Sequence, residues 1–236
     1  MTSRSVSSAG IGLAAALLMT AGLAPSAWTG DSSLASLAKE QGNGSRFKLH
    51  AQGSVSDLQV GLVTVDQSAA RVIVEVFASA QLSDPLWQQF SLSLRGSKPQ
   101  VEAGYIQVGR RAPMPLPQKT LAGTGNLDVG LFLLSEADLK GGRTDLKEIG
   151  PEAVTIPAGT VTCRHYRMDR PEQKLDVWIS DAARPIGLVR LVSVGKKPID
   201  NYRLELEELL SGIAAKIDPA RAVPLTEDIK AFLARP

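Results

Sequence analysis

The chain has 236 residues, of which 44% are hydrophobic and 21% charged; this is globular composition and excludes a disordered polymer. Lys+Arg total 26 against Asp+Glu 24, a net charge of +2 that is too balanced for a protein held to nucleic acid by phosphate contacts. One Cys excludes an internal disulfide framework, and with two His in addition there is little material for a zinc site.

Residues 1–27 read as a secretory signal peptide. Arg4 is the single charge before Asp31, Ile11 to Ala24 is an apolar run, and Ala24-Pro25-Ser26-Ala27 supplies small residues for cleavage. An apolar run of about 14 residues is short of the roughly 20 that a bilayer-spanning helix needs. The expectation is cleavage after Ala27 and a periplasmic or secreted protein; an uncleaved anchor is the alternative. No later segment is apolar and long enough to span a membrane. In an oxidising compartment the lone Cys163 is expected to be buried.

The mature chain divides into a segment 28–45 with a short helix, a β region 46–210 and a C-terminal helix within 211–236. Leu34, Leu37, Ala38 and Gln41 share one helical stripe over residues 31–42, which Gly42 ends. From Arg46 the period becomes two. Phe47, Leu49 and Ala51 alternate with Lys48, His50 and Gln52. After a turn over Gly53 to Asp57, Leu58, Val60 and Leu62 continue the alternation. RVIVEVFASA from Arg71 to Ala80 is rich in β-branched residues, and Phe90, Leu92 and Leu94 alternate with Ser91, Ser93 and Arg95. Val101, Ala103, Tyr105 and Gln107 follow the Gly96 to Pro99 turn. Half-buried strands joined by hairpin turns imply an antiparallel sheet.

Pro113, Pro115 and Pro117 interrupt this pattern, and residues 110–126 read as an extended surface loop outside the sheet, either a plain connection or a mobile, partner-binding arm. Val129 to Leu134 is a buried strand or a helix, and Ser135 to Asp138 resembles a capped helical turn. The alternation then resumes over Ala153 to Pro157, Thr160 to Asp169, Leu175 to Ser180, Gly187 to Gly195 and Tyr202 to Leu210. In the last segment Tyr202, Leu204 and Leu206 oppose Arg203, Glu205 and Glu207. Thr226 is a suitable N-cap for a final helix. Its stripe, Ile229, Phe232 and Leu233, must pack on an edge or face of the sheet. The count is roughly eleven strands, and a sheet that large must curl or split. The fold class is therefore mainly β with short helices: a large curved antiparallel sheet forming an open, incomplete barrel.

Chemistry-bearing residues are sparse. Cys163 and His165 share a strand face about 7 Å apart, but a metal site needs about four ligands and the second His, His50, is distant in sequence. No G-x-S-x-G elbow supports a serine hydrolase. Gly123-Thr124-Gly125-Asn126 lacks the pattern of a phosphate loop. Glu205 and Glu207 read as solvated charges, and Arg110-Arg111 and Lys196-Lys197 as exposed loop charges or contacts for anionic headgroups. The chain is expected to be non-enzymatic, with no cofactor and no metal.

One string carries a resemblance. Val154-Thr155-Ile156-Pro157-Ala158-Gly159-Thr160 leads through Cys163-Arg164-His165-Tyr166 to Val177-Trp178-Ile179-Ser180-Asp181, then Pro185-Ile186-Gly187-Leu188-Val189-Arg190 and Leu204-Glu205-Leu206. It resembles a group of exported bacterial proteins with a VPAGTF…HY…VWVSD…P.GLVK pattern, similar in architecture to the LolA/LolB and LppX-like half-barrel fold. The resemblance covers about residues 152–207. It implies an open barrel around helices, with a concave apolar face for a lipid, an acyl chain or a lipidated partner. Burial of each CH₂ would contribute about 0.8 kcal/mol. Val72, Val74, Val76, Leu175, Val177 and Leu188 are the residues expected to line that hollow. The alternative is a structural or interaction module of the cell envelope whose core is filled by its own side chains.

Overall fold

A computed structural model describes residues 30–79, 84–95, 100–124, 147–169 and 171–233. The expected signal peptide, the 129–134 segment and the 135–138 turn lie outside these residues. Among the described residues eleven strands form one antiparallel sheet, in the order β6-β5-β4-β3-β2-β1-β11-β10-β9-β8-β7, that does not close into a barrel. Helix α1 (Gly30–Lys39) leads into β1 (Gly44–Ala51), β2 (Ser54–Asp66), β3 (Arg71–Ser79), β4 (Leu86–Ser93), β5 (Gln100–Val108) and β6 (Met114–Pro115). Helix α2 (Gln118–Thr124) follows. The second run is β7 (Lys147–Ile156), β8 (Gly159–Asp169), β9 (Gln173–Ile179), β10 (Leu188–Gly195) and β11 (Tyr202–Leu210), and the last helix is α3 (Glu227–Leu233).

The topology is two meanders laid side by side. The first starts at the middle of the sheet and walks outward to β6. The second starts at the opposite edge, at β7, and walks inward until β11 pairs with β1. That seam sets Phe47 opposite Leu206, Leu49 opposite Leu204 and Ala51 opposite Tyr202, so the apolar alternations of two strands distant in sequence fall on one face. Gln52 and Gly53 both take positive φ in the two-residue β1–β2 hairpin, the geometry that matches strand twist.

One face of the sheet encloses the core. Phe47, Val60, Leu62, Val72, Val74 and Leu92 are fully buried there. The expected helical stripe of α1 seats Leu34 and Leu37 in the same cluster, as do Leu121 of α2 and Ile229 of α3. Gly104 on β5 lets Leu116 and Leu121 approach: an added Cβ would lie 2.7 Å from Leu121 and 3.0 Å from Leu116.

Two expectations are corrected. The proline-rich stretch joins the sheet, since Met114 and Pro115 pair with Ile106 and Tyr105 at its edge. Proline is tolerated there because an edge strand has one side with no neighbour to bond. Met114 and Leu116 are buried, so the segment is a packed border rather than a surface loop. The strand expected at Ala153 extends back to Lys147, because an edge strand can expose alternate polar side chains on both faces and lose its period-two signature. The final helix runs over Glu227–Leu233, directly after the expected N-cap Thr226, and the residues before it form an extended strap with one 3₁₀ turn at Pro219–Arg221.

Candidate functional site

The six residues expected to line a hollow fall on the core face. Val72, Val74 and Val76 occupy successive inward positions of β3, opposite Leu92, Phe90 and Gln88 of β4. Leu175 and Val177 on β9 face Met168 and Tyr166 of β8, and Leu188 on β10 faces Ile179. Their exposures are 0%, 0%, 2%, 1%, 2% and 1%, and all six belong to a single packed cluster together with side chains of α1, α2 and α3.

The opposite face carries two polar constellations. On the second meander, strand alternation puts Glu152, His165, Asp176, Trp178, Arg190 and Glu205 on one side. The His165 ring stacks on Trp178 with centroids 4.2 Å apart. Its Nε2 lies 2.6 Å from Asp176 Oδ1 and its Nδ1 lies 3.3 Å from Glu152 Oε2. Trp178 Nε1 donates to Glu152 at 2.8 Å, and the Arg190 guanidinium sits 5.7 Å from the Trp178 ring while pairing with Glu205. Arg167 also donates to Asp176 at 2.8 Å, and that contact raises the guanidinium pKa. These groups answer one another across five strands, which is how a sheet face binds its strands together. Cys163 is buried as expected, and its thiol donates to the Val161 carbonyl. Among the described residues no group of three or more His, Cys, Asp and Glu is arranged to hold a metal ion.

The second constellation was not visible as a site in the sequence. Gly44, Gly61, Glu75, Gln89, Tyr105 and Pro115 are cross-strand partners in one row from β1 to β6. The C-terminal strap runs along the row, perpendicular to the strands. Ile213 N–H donates to Gly42 O at 2.7 Å, and the Ile213 side chain rests over the two glycines. A Cβ at Gly61 would lie 3.0 Å from Ile213 Cδ1, and one at Gly44 2.6 Å from it. Three and four residues on, the Glu75 carboxylate accepts from the Lys216 N–H at 2.8 Å and from the Ile217 N–H at 2.9 Å. Gln89 Nε2 donates to Glu75 at 2.9 Å and to Ile217 O at 3.0 Å. Glu75 is 2% exposed and Ile217 2%. The strap ends where Val223 N–H donates to Pro113 O and α3 pairs Asp228 with Arg111 at 2.6 Å. The Thr226 hydroxyl, then the Arg111 guanidinium, hold the Asp228 carboxyl down at about 2. The sequence signal was available: Glu75 stands between Ile73 and Phe77 on one strand face, and a carboxylate between apolar neighbours at i±2 implies a cover.

Beside this row lies a groove of about 620 Å³, lined by Arg46, Lys48, Asp57, Gln59, Phe77, Glu207 and Glu208. Its charges are paired: Arg46 with Glu208 at 2.7 Å, and Lys48 with Asp57 at 2.6 Å and Glu207 at 3.5 Å. The Lys48 hydrogen bond holds the Asp57 carboxyl below the ordinary carboxylate range, and Asp57 in turn raises Lys48. Of the expected basic pairs, Arg111 and Lys196 are engaged within the chain, Lys196 with Glu172 at 2.9 Å. No helix among the described residues is long and apolar enough to cross a membrane.

No family model matches this chain, and no curated protein matches it. Solved structures resemble it at low identity. A protein assigned as exported, with a YmcC-like fold, from Bacteroides fragilis is 13% identical with a TM-score of 0.41, over 72% of this chain and 95% of that one. A protein assigned as a lipoprotein from Parabacteroides distasonis is 14% identical with a TM-score of 0.37, over 72% and 95%. MucB in the Pseudomonas aeruginosa MucA/MucB complex is 14% identical with a TM-score of 0.35, over 83% of this chain and 62% of that one.

Proposed function

We propose that this chain is a non-enzymatic, exported module of the cell envelope that acts by binding a partner protein through its surface. Export is supported by the basic start, short apolar run and small-residue cleavage site of residues 1–27. The observation that carries the reading is the burial of Val72, Val74, Val76, Leu175, Val177 and Leu188, each at most 2% exposed, in one cluster that also takes in side chains of three helices. An interior of that kind serves as a scaffold and leaves the outer face and its loops for recognition. Absence of catalysis is part of the proposal. His165, on the outer face, is committed to two carboxylates and a stacked indole, which suits strand cohesion.

The carrier reading puts a lipid, an acyl chain or a lipidated partner against those same six residues, as the LolA/LolB and LppX-like resemblance implies. It requires the helices to withdraw from the sheet and expose apolar surface at about 25 cal/mol per Å². One experiment separates the two. Mature protein is isolated from its native envelope without detergent and weighed by native mass spectrometry, then extracted with organic solvent. The module predicts the mass of the bare polypeptide. Near-stoichiometric recovered lipid would overturn it in favour of the carrier.

A further inference from the structure

We infer that the row Gly44–Gly61–Glu75–Gln89 is a peptide-binding track which reads an extended segment mainly through its backbone, and which the chain's own residues 213–217 occupy at rest. This deepens the interaction-module reading above and rests on it. The occupant would be a partner segment with aliphatic side chains at positions i and i+4, presented without regular secondary structure.

The chemistry of the track is general rather than tailored to this strap. Glu75 takes two consecutive backbone N–H groups, and Gln89 returns a donor to the carbonyl of the second residue. Every peptide carries those groups, so they set register and direction without specifying sequence. Selectivity comes from two apolar seats. One is the shallow dimple made by two glycines without side chains, filled by Ile213; the other is the buried position of Ile217. Ala214, Ala215 and Lys216 stand between them, and all three are exposed. The flanking groove of about 620 Å³ offers Arg46, Lys48, Glu207 and Glu208 to side chains projecting from a bound segment.

The occupant is also built to leave. Between β11 and α3 the strap has one fully buried residue, Ile217. Gly212, at the start of the strap, has φ +70° and no atom within 4 Å of the place a Cβ would take, so a hinge there meets no obstruction. A segment with few buried contacts and a free hinge opens well below the global unfolding free energy. The tethered strap competes at an effective concentration on the order of millimolar, so foreign peptide binds the resting protein weakly.

The test uses full-length mature protein and a fluorescent peptide with the sequence of residues 211–226. Wild type is expected to bind weakly. Ile213→Ser combined with Ile217→Ser, which weakens the strap and leaves the track intact, is expected to tighten peptide binding at least tenfold. Adding Glu75→Gln is expected to abolish that gain. A double variant with freely exchanging strap amides and a folded sheet, yet no tighter binding, overturns the proposal. Hydrogen exchange on wild type gives an independent readout if the double variant does not fold. The Lys216 and Ile217 amides are expected to exchange at least a hundredfold faster than the paired amides of Val74 and Val76. Exchange of all four at one common rate would make the strap a fixed tether and overturn the proposal. Recovery of stoichiometric lipid in the earlier experiment would instead overturn the module reading, so the two failures are told apart.

Discussion

Cutting a single core side chain measures whether the concave face is filled. Leu175 is 1% exposed and sits between Met168 on β8 and Ser193 on β10. Leu175→Ala removes three carbons, a transfer loss of about 2.4 kcal/mol at ~0.8 kcal/mol per methylene. The surrounding strands are held by ladders on both sides and can relax little, so a cavity term adds to this. The expected total is about 3 kcal/mol, inside the range of roughly 2–5 kcal/mol seen for such truncations. Val74→Ala, at 0% exposure, removes two carbons and is expected to cost about 2 kcal/mol by the same reckoning. If these side chains instead bordered an empty hollow, one side of each would already lack contacts. Leu175→Ala would then cost on the order of 1 kcal/mol or less. Urea unfolding followed by Trp fluorescence distinguishes the cases, with the midpoint moving and the slope unchanged for a pure stability effect. At roughly 2–4 °C per kcal/mol for a domain of this size, the melting temperature of Leu175→Ala should fall by about 6–12 °C. Two truncations that each cost under about 1 kcal/mol would refute a filled core, and with it the basis for reading the protein as a scaffold.

Two further outcomes follow from the same packing. The Asp228 carboxyl is lowered from 3.8 to about 2 by the Thr226 hydroxyl and the Arg111 guanidinium, so it stabilises the docked α3 fully above about pH 4 and loses that contribution as the pH falls through 2. The Lys230 amide NMR signal should titrate across that window, and Asp228→Asn should remove the titration; an unchanged profile in the variant would place the effect elsewhere. Cys163, at 2% exposure in mid-strand, should react with a maleimide only at the rate of unfolding, and stoichiometric labelling of native protein within minutes would show that β8 opens locally.

The sheet was readable because period-two alternation survives wherever one face is covered and the other is wet. β1, β8 and β11 match their expected alternation almost residue for residue. The signal failed where that asymmetry fails. β7 is an edge strand with exposed side chains on both faces over most of its length, so its first half had no period to detect. β6 is two residues long and includes a proline, which local rules assign to a loop. The strap has neither period because extended chain lying across a sheet repeats no contact at a fixed interval. The site suffers from the same cause. Glu75 and Gln89 are adjacent only through the β3–β4 register, and Gly44 meets Gly61 only through that of β1 and β2. Glu75 alone stands out in its own strand, between Ile73 and Phe77, and pairing makes the four a row.

The position of the strap follows from the seam between the meanders. Pairing of β11 with β1 ends the sheet's last strand with Leu210 opposite Gly44, so the chain leaves the sheet beside the row that begins Gly44–Gly61. A chain turning onto the outer face there finds backbone with no side chains on two adjacent strands, and Ile213 settles on it. Turning the other way would meet Arg190 and the stacked rings of Trp178 and His165. The two small residues thus choose the direction, and the first buried hydrogen-bond acceptor along that direction is Glu75. Burying this carboxylate costs free energy unless it is met by N–H donors, and the strap supplies two of them together with the Gln89 amide. The coupling runs both ways: the strap is held because the carboxylate needs donors, and whatever displaces it must bring two consecutive N–H groups of its own.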